Sequence, residues 1–451
     1  MGKLRIDPVL LEAAAFFVRR GRQVFLVGGA VRDLLRGKAP KDWDLATDAL
    51  PEEVSAMFRR VIPTGIRHGT VTVRFKGRSI EVTTFRTEAA YSDGRRPDAV
   101  RFTPSIEEDL SRRDFTMNAI ALELPSGRRV DPFDGEGDIR RRLIRCVGEP
   151  ERRFNEDGLR PLRALRFAAQ LDFAIDPPTL AAIGGALRTT ARVSPERVRD
   201  EFDRIVAAPI PSRALIPMEK TGLMALLFPE LTACRGVEQR GFHRFDVLDH
   251  SLLACDCTAR YGASGPVRLA ALFHDIGKVQ TRQLNGEGVW TFYRHERESV
   301  RLTGDILNRY RYPKGLIDAV CHLVGEHMFN AEEIRSDAAV RRFIIRVGEE
   351  NLQDIYTLRM ADAWATAGHE PPRTFLAPLA DRVTRILAQN RAFSLRDLAV
   401  TGRDLMTIGV KQGPPMGIIL KELLETVIDD PVQNSREKLL EIAENLNRRY
   451  T

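Results

Sequence analysis

No apolar run in this 451-residue chain approaches the roughly 20 residues that a helix needs to cross a bilayer. A spanning helix is therefore excluded. The opening stretch MGKLRIDPVLLEAAAFFVRR mixes acids and arginines into an amphipathic helical pattern. It lacks the uninterrupted apolar core of a cleavable signal peptide. Cysteine is sparse, odd in number and scattered, at Cys146, Cys234, Cys255, Cys257 and Cys321. That excludes a disulfide framework and points to a reducing, cytoplasmic setting. Cys255-x-Cys257 has the wrong spacing for a usual zinc pair and reads as structural. Low-complexity segments and clear internal repeats are missing too. What remains is ordinary globular composition, 43% apolar and 29% charged, in a length that suits about three domains.

Positive charge is in modest excess, +7, and its distribution matters more than its size. Arginine is dense at 95–113, 140–166 and 188–204. A single such cluster is often a solvated helix face. Three of them suit a partner rich in phosphate.

Residues 28–45, GGAVRDLLRGKAPKDWDL, carry the strongest local signal. Gly28 and Gly29 follow the apolar run Val24 to Val27 and open a helical stretch containing Arg32. The first amides of a helix are free to hold an anion. Asp42 and Asp44 then alternate in a predicted strand, so both carboxylates project from one face. Like charges that close need a cation between them. Mg²⁺, a hard ion that keeps room for substrate phosphates, fits. Either motif alone is common; in sequence they describe a site for a nucleoside triphosphate and its metals.

Short strands are expected at 24–27, 42–47, 71–75, 80–84 and 119–124, with a hairpin turn at the KGR between the third and fourth. Helical pieces 29–36 and 51–59 alternate with them, giving a small mixed α/β domain to about residue 140. From about 155 the pattern turns helical, through EDGLRPLRALRFAAQL, PPTLAAIGGALR and SPERVRDEFDRIV, nearly to the end. Ser194-Pro195-Glu196 is a good helix start. Linker-like composition occurs at 207–213 and 366–374.

The order GGAVRD, DWD, IEVTTFR, YSDGRRPDAVRF, DLSRRDFTMNAIAL, EDGLRPLRALRFAAQL, SPERVRDEF resembles the class II tRNA nucleotidyltransferases and bacterial poly(A) polymerases over residues 22–205. The resemblance implies an α+β fold: a polymerase β-like head with a small mixed sheet at 1–140, then an all-α neck (141–206), body (207–365) and RNA-binding tail (366–451). It implies Mg²⁺ at Asp42 and Asp44, with Glu81 as a third carboxylate or merely a strand residue facing solvent. Gly28, Gly29 and Arg32 would cradle the triphosphate. In Arg112-Arg113-Asp114 the arginines would take phosphate and Asp114 the ribose, with Asn118 completing the motif. Glu156-Asp157-x-x-Arg160 would read the nucleobase, its Asp157 and Arg160 expected at i, i+3 on one helical face. Arg163, and with it Arg166, would serve triphosphate or base, or be surface charges. Glu196, Arg197 and Glu201 would brace the neck. The loop 86–112, with Arg95-Arg96-Pro97, is full length, which in this family argues against an enzyme that adds only C.

A second constellation follows: His250, His274-Asp275 in LFHDIGK, His295, His327 and Asp362. Its order and types resemble the HD phosphohydrolase superfamily, whose His and Asp residues bind a divalent metal such as Ni²⁺, Mn²⁺ or Mg²⁺, with further histidines holding a second metal or phosphate. Lys278 is a phosphate-binding expectation. His68, His243, His322 and His369 read as core or surface residues.

The leading expectation is template-independent addition or repair of the 3′ CCA of tRNA from CTP and ATP. An A-adding enzyme and a poly(A) polymerase share the head pattern, although the short, mixed-charge tail SREKLLEIAENLNRRYT favours tRNA. A different class of reading makes the head an inactive RNA-binding module and the HD region the enzyme.

Overall fold

A computed structural model describes residues 5–88, 100–239, 244–372, 374–389 and 394–450, in two compact units that divide between residues 232 and 233. Among the described residues no helix is long and apolar enough to cross a membrane.

The first unit is built on a seven-stranded sheet: β1 (Val24–Val27), β2 (Trp43–Thr47), β3 (Val61–Gly65), β4 (Thr70–Phe75), β5 (Arg78–Thr84), β6 (Ala121–Glu123) and β7 (Arg129–Val130), in the order β3-β4-β5-β2-β1-β6-β7. The four residues of β1 are apolar and fully buried, as a central strand requires. The β4–β5 turn closes with Lys76 and Gly77 both at positive φ, the two-residue geometry that matches strand twist. Within this sheet, among the described residues, β2 and β5 are the one parallel pair, and their register sets Asp44 opposite Glu81. A phenylalanine-rich core under the sheet gathers Phe25, Phe85, Ile106 and Leu110. Beyond the sheet, helix Arg160–Leu171 packs against helices Pro195–Val206 and Ser212–Lys220.

Two expectations need correction here. Asp42 stands just before β2 rather than within it. The helix expected to run unbroken through EDGLRPLRALRFAAQL is two helices, Pro150–Glu156 and Arg160–Leu171. Asp157 lies between them in extended backbone (φ −137°, ψ 111°), so Asp157 and Arg160 do not share a helical face. The break has two causes. A β-carbon on Gly158 would collide with the Thr189 carbonyl, so close packing demands glycine there. Pro161 lacks an N–H and belongs in a first helical turn, not an interior.

The second unit is helical. Val247–Arg260 packs against Gly265–Phe273 and Leu352–Ala367, and His295–Arg309 packs against Lys314–Glu326. Gly277 permits the closest approach, since a β-carbon there would overlap the His295 carbonyl. A separate apolar cluster including Leu405, Ile419, Leu423 and Leu439 unites the last helices, Pro414–Asp429 and Arg436–Tyr450.

Candidate functional site

One cavity of about 1000 Å³ in the first unit is lined by Gly28, Gly29, Arg32, Asp42, Asp44, Glu81, Arg113, Asp114, Asn118, Asp157, Arg160, Arg163 and Arg166. The residues expected to serve the head thus meet in one place. Gly28 turns the chain from β1 into helix Gly29–Leu35 at φ +68°, a conformation that glycine adopts freely. A β-carbon there would also lie 3.1 Å from Arg113 Nη1 and 3.7 Å from Asp44 Oδ2, so the turn is tight against both charges.

The parallel register decides the role open to Glu81. Directly opposed residues in a ladder present side chains to the same face, so Glu81 joins Asp44 rather than turning away. Burial, and next the Glu81 charge, push the Asp44 carboxyl up to about 6; Arg113 pulls it down and Asp42 pushes it up again. Asp42, Asp44 and Glu81 together form a carboxylate donor set for a divalent cation.

The arginines are positioned by buried acids. Asp109, on helix Ile106–Ser111, holds Arg112 at 2.8 Å and Arg113 at 3.2 Å. Burial opposes its ionisation, but the two guanidinium groups outweigh burial and lower its pKa. Arg32 donates to Asn118 Oδ1 (2.9 Å), and Asn118 Nδ2 donates to Asp114 Oδ1 (3.1 Å). Asp114 receives Arg163 Nη2 at 2.6 Å. Burial pushes Asp114 up, yet Arg163, Asn118 and Arg160 hold it down at about 2.

The base-reading residues also have partners elsewhere. Asp157 pairs with Arg197 at 3.0 Å, Arg160 with Glu156 at 2.7 Å, and Arg166 with Glu201 at 2.6 Å. Arg197 and Glu201 sit on Pro195–Val206, which therefore braces side chains as well as helices. Arg160 has three N–H bonds occupied, to Arg153 O, Glu156 and Arg112 O. A guanidinium carries five donors, so two stay available to a ligand.

His68, Thr70, Ser79, Arg86 and Arg204 line the cavity without having been singled out. The sequence alone marks His68 only as a core or surface residue. Arg86 lay inside the quoted IEVTTFR, but nothing local marked it. Of the loop 86–112, residues 86–88 and 100–102 form a two-stranded ladder. Arg95-Arg96-Pro97 lies outside the described residues, as does His243.

The second unit brings its six predicted ligands together as well. His250 Nε2 lies 3.1 Å from His274 Nε2 and 3.1 Å from Asp362 Oδ1. Asp275 faces an imidazole pair with each oxygen. Its Oδ2 is 3.2 Å from His274 and 3.4 Å from His250; its Oδ1 is 3.1 Å from His295 and 3.7 Å from His327. His274, His295 and His327 each bond through Nδ1 to a carbonyl three residues back, Ala271 (2.8 Å), Phe292 (2.9 Å) and Val324 (2.6 Å). A carbonyl only accepts, so Nδ1 carries a proton, and Nε2 is the nitrogen each ring turns toward the cluster and would offer to a metal. This is the outer-shell arrangement of metal-binding histidines, and two ligand trios, His250/His274/Asp362 and His274/Asp275/His327, are close enough to hold an ion.

Charge in this cluster is frustrated. Burial disfavours the His274 cation, but Asp275 and Asp362 outweigh it and push its pKa up to about 10. At His327 burial and the His274 charge win, and the pKa falls to about 3. Four imidazoles and two buried carboxylates fit a divalent ion with nitrogen and oxygen ligands. Lys278 departs from expectation. Its ammonium is bound to Asp275 and Gln239, both at 2.6 Å, and serves the cluster rather than an open phosphate site. His322 is structural, bonded to Val347 O at 2.7 Å.

The Poly A polymerase head domain model matches residues 24–145, the RNA- and SrmB-binding-site model of polymerase A matches 172–235, and tRNA nucleotidyltransferase domain 2 matches 286–443. The CCA-adding enzyme of Geobacillus stearothermophilus is 35% identical over 422 residues, 93% of this chain and 92% of that one. That of Lactobacillus johnsonii is 32% identical over 434 residues, 96% and 95% of the two chains. The solved structure of the Bacillus stearothermophilus CCA-adding enzyme in complex with CTP aligns with a TM-score of 0.75 and 31% identity, over 99% of both chains. Nucleotidyltransferases of this fold use divalent metals. Matched over nearly its whole length by such relatives, the chain belongs to the CCA-adding enzymes, a family of nucleotidyltransferases.

Proposed function

We infer that the protein completes or repairs the 3′-terminal CCA of tRNA, taking CTP and ATP as substrates and working in the cytoplasm. The observation that carries this reading is the single cavity where Asp42, Asp44 and Glu81 face the arginine field of Arg32, Arg113, Arg160 and Arg163. Mg²⁺ bound by the carboxylates would activate the RNA 3′-hydroxyl and neutralise the leaving group. Arg32 and Arg113 bind the triphosphate, and Asp114 accepts from the ribose. The 3′-oxygen bonds to the α-phosphorus, the bond from that phosphorus to the bridging oxygen breaks, and pyrophosphate leaves.

Asp157 and Arg160 read the base from two sides of a helix break. The carboxylate accepts from the exocyclic amine of C or A. The two donors left on Arg160 reach O2 and N3 of C, or N1 of A. U and G present the opposite pattern and leave buried groups unpaired. On this reading residues 1–140 are the catalytic head, 141–206 the recognition neck, 207–365 the HD-bearing body and 366–451 the RNA-binding tail.

The His/Asp cluster supports a second activity, metal-dependent hydrolysis of phosphoesters at RNA ends, such as 2′,3′-cyclic phosphates, with Ni²⁺ or Mn²⁺ suiting its imidazoles better than Mg²⁺. Water adds to phosphorus and one ester P–O bond breaks.

The test is incorporation into tRNA transcripts ending at the discriminator base, at C and at CC, with CTP, ATP, both, or UTP and GTP. Growth by CCA and then a stop is the expected result. Addition only to the CC transcript would mean an A-adding enzyme, and long A tails a poly(A) polymerase.

A further inference from the structure

The His/Asp cluster opens into a cavity of about 590 Å³, within the size range of small-molecule sites. Three Lys or Arg side chains line it: Lys278, Arg294 and Arg359. Two of them are committed, Lys278 to Asp275 and Gln239, and Arg359 to Asp362. Arg294 has no ion-pair partner among the described residues, although it immediately precedes the ligand His295. Its backbone stands at φ +60°, where an arginine is uncommon.

The residues beside it are unusual in a second way. Tyr293 is 77% exposed, the most exposed large hydrophobic among the described residues, and Met328, next to the ligand His327, is 59% exposed. Both line the same cavity. Flat and polarisable groups held in water at the mouth of a charged cavity suit an aromatic ligand.

We propose that Tyr293 and Arg294 form the substrate lip of this cavity, Arg294 binding the phosphate and Tyr293, backed by Met328, stacking the base of a nucleotide-ended phosphoester. The inference rests on the hydrolase reading of the His/Asp cluster and adds what selects its substrate. A guanidinium adjoining a ligand histidine binds phosphate through charge-assisted hydrogen bonds. A stacked base accepts any nucleobase, because every base has a π-face. The lip therefore selects nucleotides over sugar phosphates without reading sequence, and it breaks no bond itself.

The experiment is calorimetric binding to the full-length protein; every variant keeps the head cavity intact, so differences from wild type report on the lip. Adenosine 2′-monophosphate and ribose 5-phosphate are the probes. Tyr293→Ala should weaken the nucleotide about 10-fold and leave ribose 5-phosphate unchanged, with Tyr293→Phe restoring wild-type binding. Arg294→Ala should weaken both probes. Unchanged binding in both alanine variants, or equal losses for both probes in Tyr293→Ala, overturns the lip. Both residues are exposed, so neither variant should compromise folding. Metal content and hydrolysis of adenosine 2′,3′-cyclic phosphate by the wild type report separately on the hydrolase reading. A metal-free, inactive wild type with the predicted binding pattern would overturn that reading and keep the lip. An active wild type with insensitive binding would overturn the lip alone.

Discussion

The two cavities present different donor sets to a cation. In the first, carboxylates stand on and beside paired strands of one sheet, and burial, then the neighbouring Glu81 charge, pushes the Asp44 carboxyl up to about 6. The opposing charge is a field of arginines, each oriented by an acid behind it. In the second, buried imidazoles at helix ends, held through Nδ1 by backbone carbonyls, surround two buried carboxylates. Oxygen ligands with space around them suit an ion that arrives with its substrate and leaves with the product. Nitrogen ligands with locked tautomers suit an ion that stays. On the proposed reading the first site would take an exchangeable metal and the second a resident one.

The sharpest break in that contrast is Asp42→Ala. Nucleotide incorporation should fall about 1000-fold or more, while phosphoester hydrolysis is unchanged; retained incorporation in a radiolabel assay would remove Asp42 from the metal site. The reciprocal variant, His274→Ala, should lower bound transition metal, read by plasma mass spectrometry, more than about 10-fold. Its CCA addition should stay within about twofold of wild type. Dialysis against a chelator sharpens the comparison without mutation: added Mg²⁺ should restore incorporation at once, whereas hydrolysis should return only with a transition metal.

Arg197→Ala tests whether a residue that touches no reacting atom sets base choice. Freed from its 3.0 Å partner, Asp157 should tolerate UTP about 10-fold better relative to CTP. The change should appear in kcat/KM ratios rather than in folding, and Arg197→Lys should recover part of it. The smallest effect concerns stability. Asp114 is held at about 2, below its unfolded value near 3.9. A lowered folded pKa stabilises above the unfolded pKa and loses that contribution as pH falls toward the folded one. Its share, about 2 kcal/mol by linkage, should therefore vanish between pH 4 and 2. Acid unfolding of Asp114→Asn, followed by circular dichroism, should be shallower through that window.

The motifs were legible because their chemistry is local. A glycine pair after an apolar strand, alternating aspartates and an HD doublet each announce a geometry within a few residues. What was hidden depends on partners far along the chain. Nothing near Gly158 reveals that the Thr189 carbonyl excludes a side chain there, so the helix seemed continuous. Glu81 looked ambiguous until the parallel register placed it opposite Asp44. Lys278 reads from the sequence as a phosphate-binding cation; of its two partners, Asp275 is three residues back, but Gln239 lies 39 residues away. Glu201 is expected from the sequence to brace the neck, but nothing local pairs it with Arg166 on another helix.

His274 and His327 immediately follow the last residues of Gly265–Phe273 and Lys314–Glu326, and their Nδ1 protons cap carbonyls that the last turn leaves without helical partners. The same two rings that would clasp an ion therefore finish two helices. Ion and helix ends are thermodynamically linked, and ligand that binds only the folded form raises stability with its concentration. The second unit should accordingly melt as a thermometer of cellular transition-metal supply, while the first answers to nucleotide.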